Sequence, residues 1–227
     1  MQKAACAFNS SHAVPVTWMV RAGSLNFTRF IKAMSSHHFV KEGQEPALLV
    51  VDAMADDHLL STLEWSPLVL ATSLSAEKIA SWGVRVDAVF AEGSAHNESV
   101  VLEAMIHAGP ATVIDVKEGL PEAVFKYLRN KNQFALQILI AVPEQQLRRW
   151  QYADFQIALM NARVKWSWIP SGRFEKWMPA GSNLLIQADG EWTVAGAVTG
   201  EDQLGVVDSG LVRISSQHSF WIGESIC

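Results

Sequence analysis

An α/β domain with a mostly parallel sheet, followed by an all-β antiparallel sandwich, is the fold class this sequence predicts. Three observations carry it. Short apolar runs alternate with helical periods from Pro46 to about Val142, the layout of βαβ units. Past Trp150 the helical periods give way to short alternating segments punctuated by Gly and Pro. Five of the nine tryptophans lie from Trp166 onward, loading that second part with side chains suited to a sandwich interior. The partition that follows is 1–33 as a leader or non-core extension, 34–155 as the α/β domain and 156–227 as the β-sandwich.

Each element has a local reason. Ala47–Val51 is wholly apolar, as expected of a strand buried on both faces. Asp56-Asp57 offers an N-cap for a helix carrying Leu59, Leu60 and Leu63 on one face. Leu68–Leu70 is the next strand. Ser75 caps a helix over Ala76–Trp82, and Gly83 closes it. Val86–Phe90 is the third strand. Asn97–His107 is helical in pattern and stopped by Gly109-Pro110. Thr112–Val116 is a strand, Pro121 suits the first turn of a helix over Glu122–Asn130, and Leu136–Val142 is a strand ended by Pro143. In the second part, Val164–Ile169, Asn183–Gln187, Trp192–Val198, Leu211–Ser215 and Phe220–Gly223 read as strands.

Composition narrows the function classes. At 49% hydrophobic and 18% charged residues, the chain is a folded globule rather than a disordered segment. No apolar run approaches the ~20 residues that span a bilayer, so no membrane partner is expected. Nucleic acid is not expected either, because there is no basic stripe. Cys6 and Cys227 near opposite ends offer no disulfide framework, which fits a reducing, cytoplasmic compartment. Charge is uneven. Residues 1–33 hold four bases (Lys3, Arg21, Arg29, Lys32) and no acid, so a net −5 for the chain leaves −9 for the remainder. That segment reads as translated leader ahead of a start at Met34 rather than Met1, as a targeting segment, or as a structural arm.

Several residues are candidates on their own chemistry. Asp52 ends the first strand, where open α/β sheets bind ligands. Arg148-Arg149 beside Trp150 offers an anion site or an inter-domain contact. His37-His38 looks like a metal pair, but neighbours on an extended segment point to opposite sides. Neither a Walker A loop nor a Gly-x-Gly-x-x-Gly turn is present.

Four short patterns together resemble the thiamine pyrophosphokinases. They are Ser35-Ser36-His37-His38 with Gln44-Glu45-Pro46-Ala47-Leu48, Leu63-Glu64-Trp65-Ser66-Pro67, Gly83-Val84-Arg85-Val86-Asp87, and His218-Ser219-Phe220-Trp221-Ile222-Gly223-Glu224. The start at Met34 is similar to that of divergent Bacteroidetes-type members. The resemblance implies a nucleotide-binding α/β domain, a thiamine-binding β-domain, Mg2+ and ATP as cofactors, and transfer of a pyrophosphoryl group from ATP to thiamine in a homodimer. It also implies where the site residues fall. The family's Gly-Asp-x-Asp-Ser segment, whose aspartates hold magnesium, lies over Ala91, Glu92, Gly93, Ser94 and Ala95, which makes Glu92 and Ser94 the nucleotide and metal candidates beside Asp52. Its Asp-Lys-x-Asp segment falls on Lys117, Glu118, Gly119 and Leu120, and its Gly-x-Arg-x-Asp-His segment on Pro143, Gln145, Leu147 and Arg148. Lysine and leucine cannot ligate magnesium. The expected activity is therefore weak or lost, and the alternative is a non-catalytic thiamine- or nucleotide-binding regulatory homodimer. Ser215, Ser216, His218 and Trp221 lie in the segment that resembles the thiamine pocket. The homodimer contact is expected on the β-domain, through Trp192, Val194, Val198, Leu211, Ile214, Phe220 and Trp221.

Overall fold

The computed structural model describes residues 45–52, 68–92, 111–199 and 203–226. The 1–33 segment, His37-His38, the helices expected from Asp56-Asp57 and over Asn97–His107, and Ser94 lie outside the described residues.

The first half is a run of parallel strands: β1 (Ala47–Val50), β2 (Val69–Thr72), β3 (Ala88–Ala91), β4 (Thr112–Asp115), β5 (Ala135–Leu139) and β6 (Gln156–Met160). Helix α1 (Ala76–Ser81) joins β2 to β3, and α2 (Leu120–Asn130) joins β4 to β5. The second half is antiparallel: β7 (Val164–Ile169), β8 (Arg173–Met178), β9 (Asn183–Ala188), β10 (Trp192–Ala195), β11 (Val198–Thr199), β12 (Gln203–Gly205), β13 (Gly210–Ser216) and β14 (Phe220–Ser225).

Both halves share one eleven-stranded sheet in the order β11-β12-β9-β14-β7-β6-β5-β1-β2-β3-β4. Strand β6 is the hinge of the ladder, parallel to β5 and antiparallel to β7. The sandwich expected after Trp150 is present, but one of its leaves is the antiparallel end of this large sheet. The other leaf is the separate sheet β10-β13-β8. Met178, Leu184, Val212, Ile214, Phe220 and Ile222 fill the space between them.

Strand alternation distributes the core over both faces of the large sheet. In β1, Ala47 and Leu49 face the layer that contains α2, whereas Leu48 and Val50 face α1. The α2 layer holds Val124, Phe125 and Leu128 and continues through Trp150 and Phe155 to Trp166, Trp168 and Trp221. Helix α2 keeps these apolar residues on one face while Glu122, Lys126 and Arg129 stay outside.

Two local features differ from expectation. Ser75 occupies the N-cap position of α1 but makes no capping bond. Its buried Oγ donates instead to Val50 O at 2.6 Å and accepts the Thr72 N–H at 3.2 Å. Strands β6, β8 and β12 were not expected. In β8, outward Arg173, Glu175 and Trp177 alternate with inward Phe174, Lys176 and Met178, so neither face reads as continuously apolar. No helix among the described residues is long and apolar enough to cross a membrane.

Candidate functional site

Chain direction across the parallel half reverses at β1. Successive strands step outward as β1-β2-β3-β4, and the chain then returns to place β5 on the other side of β1. Loops leaving neighbouring strands in opposite directions open a crevice at their C-terminal ends. A cavity of about 250 Å³ occupies that crevice. Val51 and Asp52 follow β1, Glu92 follows β3, and Ile140 and Val142 follow β5. Leu120 and Pro121 open α2, and Gln145, Gln146, Arg149 and Trp150 come from two 3-10 turns over Pro143–Gln145 and Leu147–Trp150.

Asp52 and Glu92, distant in sequence, thus line one cavity. The Asp52 Oδ2 accepts the Ala141 N–H at 3.0 Å, which pins the β1 end to the β5 end. The same β1 end is clamped from the other side, where Thr72 Oγ1 donates to Val51 O at 2.7 Å beside the Ser75–Val50 bond. Asn161, in the turn between β6 and β7, donates to Ala141 O at 3.1 Å and so backs the segment that holds Asp52. Arg149 donates to Gln146 Oε1 at 3.1 Å, while the buried Trp150 packs edge-on against Phe125 at 5.7 Å.

The other positions singled out in the sequence scatter. Leu120 lines this cavity but packs into the core at 8% exposure. Lys117 and Glu118 border a separate groove between β4 and α2, where Lys117 lies 3.8 Å from Asp115. Pro143 and Leu147 are buried, and Arg148 pairs with Asp189 at 3.8 Å. Among the described residues no three His, Cys, Asp or Glu side chains are gathered as a metal site needs. Tyr152 lies beneath α2, where its hydroxyl donates to Glu122 at 3.2 Å. Burial, then the Glu122 charge, pushes its phenol above the ordinary value of 10.0.

A second, wider cleft of about 980 Å³ opens at one end of the small sheet. Ser215, Ser216 and His218 line it with Arg173, Glu191, Trp192 and Thr193. Ser216 Oγ organises its floor, donating to Glu191 O at 3.2 Å and accepting the His218 N–H at 3.1 Å. Trp221 is elsewhere. It is 0% exposed, packs on Trp168 at 5.2 Å between ring centres, and its indole N–H has no hydrogen-bond partner among the described residues. The expected contact surface on the β-domain is corrected accordingly. Phe220, Trp221 and Ile214 are core, because β14 is covered on both faces and β13 turns Ile214 into the sandwich. Val198 and Leu211 do remain exposed. The sequence reading missed Gln146 and Asn161; their only signal is position, in the segments that follow strands β5 and β6.

No protein-family model matches the sequence, and no curated protein matches it. Solved structures do share its fold. A protein from Lactobacillus plantarum superposes with a TM-score of 0.59 at 13% identity, covering 80% of this chain and 98% of its own. Thiamin pyrophosphokinase from Geobacillus thermodenitrificans gives 0.58 at 13% identity, with 80% and 98% covered. Thiamine pyrophosphokinase from Bacillus subtilis gives 0.57 at 11% identity, with 80% and 99% covered. The fold is that of the thiamine pyrophosphokinases.

Proposed function

We propose that this chain is a thiamine pyrophosphokinase-type protein, of the divergent Bacteroidetes type, in which ATP-dependent pyrophosphoryl transfer to thiamine is weak or lost. The observation that carries the reading is the makeup of the cavity beside β1. Among the described residues Asp52 and Glu92 are its carboxylates, and Arg149 shares its wall. Magnesium at a polyphosphate is held by one or two carboxylates with waters and phosphate oxygens completing an octahedron. Here one Asp52 oxygen is already engaged by the Ala141 N–H. A guanidinium on the same wall repels a cation. Leu120 presents hydrocarbon where the resemblance calls for an acid. Among the described residues, two carboxylates with one oxygen already engaged fall short of a full magnesium donor set.

A second reading rests on the cleft at Ser215, Ser216 and His218. Its hydroxyls, with the half-buried Trp192, offer hydrogen bonds and an aromatic face to a flat, cationic ring such as thiamine. A chain that keeps this cleft and loses the magnesium site is a thiamine-binding, regulatory homodimer. Thermal-shift titration with thiamine, thiamine diphosphate, ATP and AMP, with and without magnesium, separates the readings. Stabilisation by thiamine compounds with little effect of ATP and magnesium is expected. Micromolar ATP affinity that EDTA abolishes would overturn the proposal.

A further inference from the structure

Strand β4 ends the large sheet, and among the described residues no strand pairs with its outer side. Its inner side is engaged by β3. The Thr112 N–H donates to Asp87 O at 3.0 Å and the Val116 N–H to Ala91 O at 2.9 Å. Parallel ladders bond alternate residues of a strand, so Ile114 shares that side, whereas Val113 and Asp115 turn their amides and carbonyls outward. Exposed edges are ordinarily blunted by a bulge, a proline, a charge or a covering element. Strand β4 has no proline, and its register with β3 is unbroken. The charge of Asp115 is offset by Lys117 at 3.8 Å, and Val113 is 47% exposed. Beside this edge runs a groove of about 360 Å³ between β4 and α2. Partly buried Ile114, Ala123 and Tyr127 give it an apolar floor. Its ends differ in charge. Glu118 and Glu122 lie where β4 gives way to α2, and exposed Lys126 lies one turn farther along the helix. Lys131, whose ammonium stands 5.7 Å from the centre of the Tyr127 ring, adds to the basic end.

We propose that this edge and groove bind an extended peptide segment of another protein, which adds to β4 as an antiparallel strand. The site stands apart from the two clefts described above. The outward groups of Val113 and Asp115 call for extended backbone, and the groove selects side chains. In an antiparallel addition the peptide residue opposite Ile114 points into the groove as Ile114 does, and so do the residues two before and two after it. The earlier of these lies by Glu118 and Glu122, and the later by Lys126. The segment selected therefore carries a base, an apolar residue and an acid at alternate positions, in that order. Its two charges, four residues apart, are separated by ~13 Å along a strand. Glu122 and Asn130, eight residues apart on α2, span ~12 Å, so the peptide matches the length of the groove. A parallel strand of the same sequence would set like charges together, which fixes the direction.

Fluorescence anisotropy of fluorescein-labelled Thr-Lys-Thr-Val-Thr-Glu-Thr-amide, titrated with the full chain, tests it. Saturable binding is expected below about 1 mM, the weak end of the measurable range. Methylating the backbone nitrogens of the two threonines that flank the valine removes the bonds to Val113 and Asp115 and keeps every side chain. It should weaken binding at least about tenfold, as the loss of two hydrogen bonds does. Val113→Pro deletes one outward N–H without touching the β3 ladder, a change that edge strands tolerate, and should weaken binding by about threefold or more. Lys126→Glu should lower affinity for this peptide and raise it for the peptide in which lysine replaces the glutamate. Circular dichroism verifies that both variants are folded, and the methylated peptide needs no variant at all. Absence of saturation at about 1 mM overturns the proposal. Binding that methylation leaves unchanged also overturns it, because a charged surface rather than a strand edge would then hold the peptide. Binding indifferent to Lys126→Glu overturns it as well, since the peptide would then sit outside the groove.

Discussion

Replacing Ser75 by alanine removes one oxygen atom and exposes the dependence of the site on a buried clamp. Ser75 is 1% exposed, and its Oγ holds the Val50 carbonyl at 2.6 Å and the Thr72 N–H at 3.2 Å. Alanine fits the space but makes neither bond, leaving the Thr72 N–H and the Val50 carbonyl with only the β1–β2 ladder. A buried hydrogen bond contributes about 0.5–1.5 kcal/mol net, so the loss of two amounts to roughly 1–3 kcal/mol. In a chain of this size each kcal/mol moves the melting temperature by about 2–4 °C. Ser75→Ala should therefore lower it by about 2–12 °C in differential scanning calorimetry. Thr72→Val, which deletes the 2.7 Å bond to Val51 O while keeping the shape, should cost about half as much, because one bond rather than two is lost. Because Val51 leads directly into Asp52, both variants should also weaken any ligand that stabilises the parent protein through the neighbouring cavity. A Ser75→Ala melting temperature within a degree of the parent would refute the reasoning. The clamp would then be a passive contact.

Gly223→Ala should destabilise by about 1–3 kcal/mol through overpacking, since a Cβ there would lie 3.1 Å from both the Trp166 ring and Leu185 Cβ; chemical denaturation reads the change directly. For Tyr152, the folded phenol titrates above its unfolded value of 10.0, so its contribution is complete below pH 10 and declines as pH rises through the higher folded value. Tyr152→Phe should flatten the alkaline fall in stability, as measured by urea midpoints between about pH 9 and 11, around the ordinary phenol value.

How legible was all this in the sequence? Strand β1 was readable because Ala47–Val50 is apolar on both faces, the mark of a strand with layers above and below. Asp52 was readable from the same strand, since its position at the C-terminal end predicts a crevice. Arg149 was harder. Its place depends on two short 3-10 turns folding back over α2, and no residue pattern in 143–150 specifies that return. Strand β8 was unreadable for a different reason, as charge and apolarity are mixed on both of its faces. Phe220-Trp221-Ile222 was legible as a strand but misjudged as a surface. Three consecutive apolar residues in a strand mean burial on both sides, with Phe220 and Ile222 entering the sandwich and Trp221 entering the opposite layer. The sharing of one sheet between the halves was not legible at all, because pairing of β6 with β5 and β7 is long-range in direction rather than in composition.

Strand β14 lies between β7 and β9, both of which precede it in the chain. A ribosome therefore delivers both flanking strands well before the one that belongs between them. Until residues 220–225 emerge, β7 and β9 present facing rows of unpaired amides and carbonyls, and Trp168 waits without the Trp221 ring that covers it. The nascent chain must keep that slot open, or a chaperone must, because direct closure of β7 on β9 would bond the wrong neighbours. Refolding from denaturant does not share this order, since all strands are then present at once. Synthesis halted just short of residue 220 should therefore yield a chain whose parallel half is protected from protease while its antiparallel half is cut.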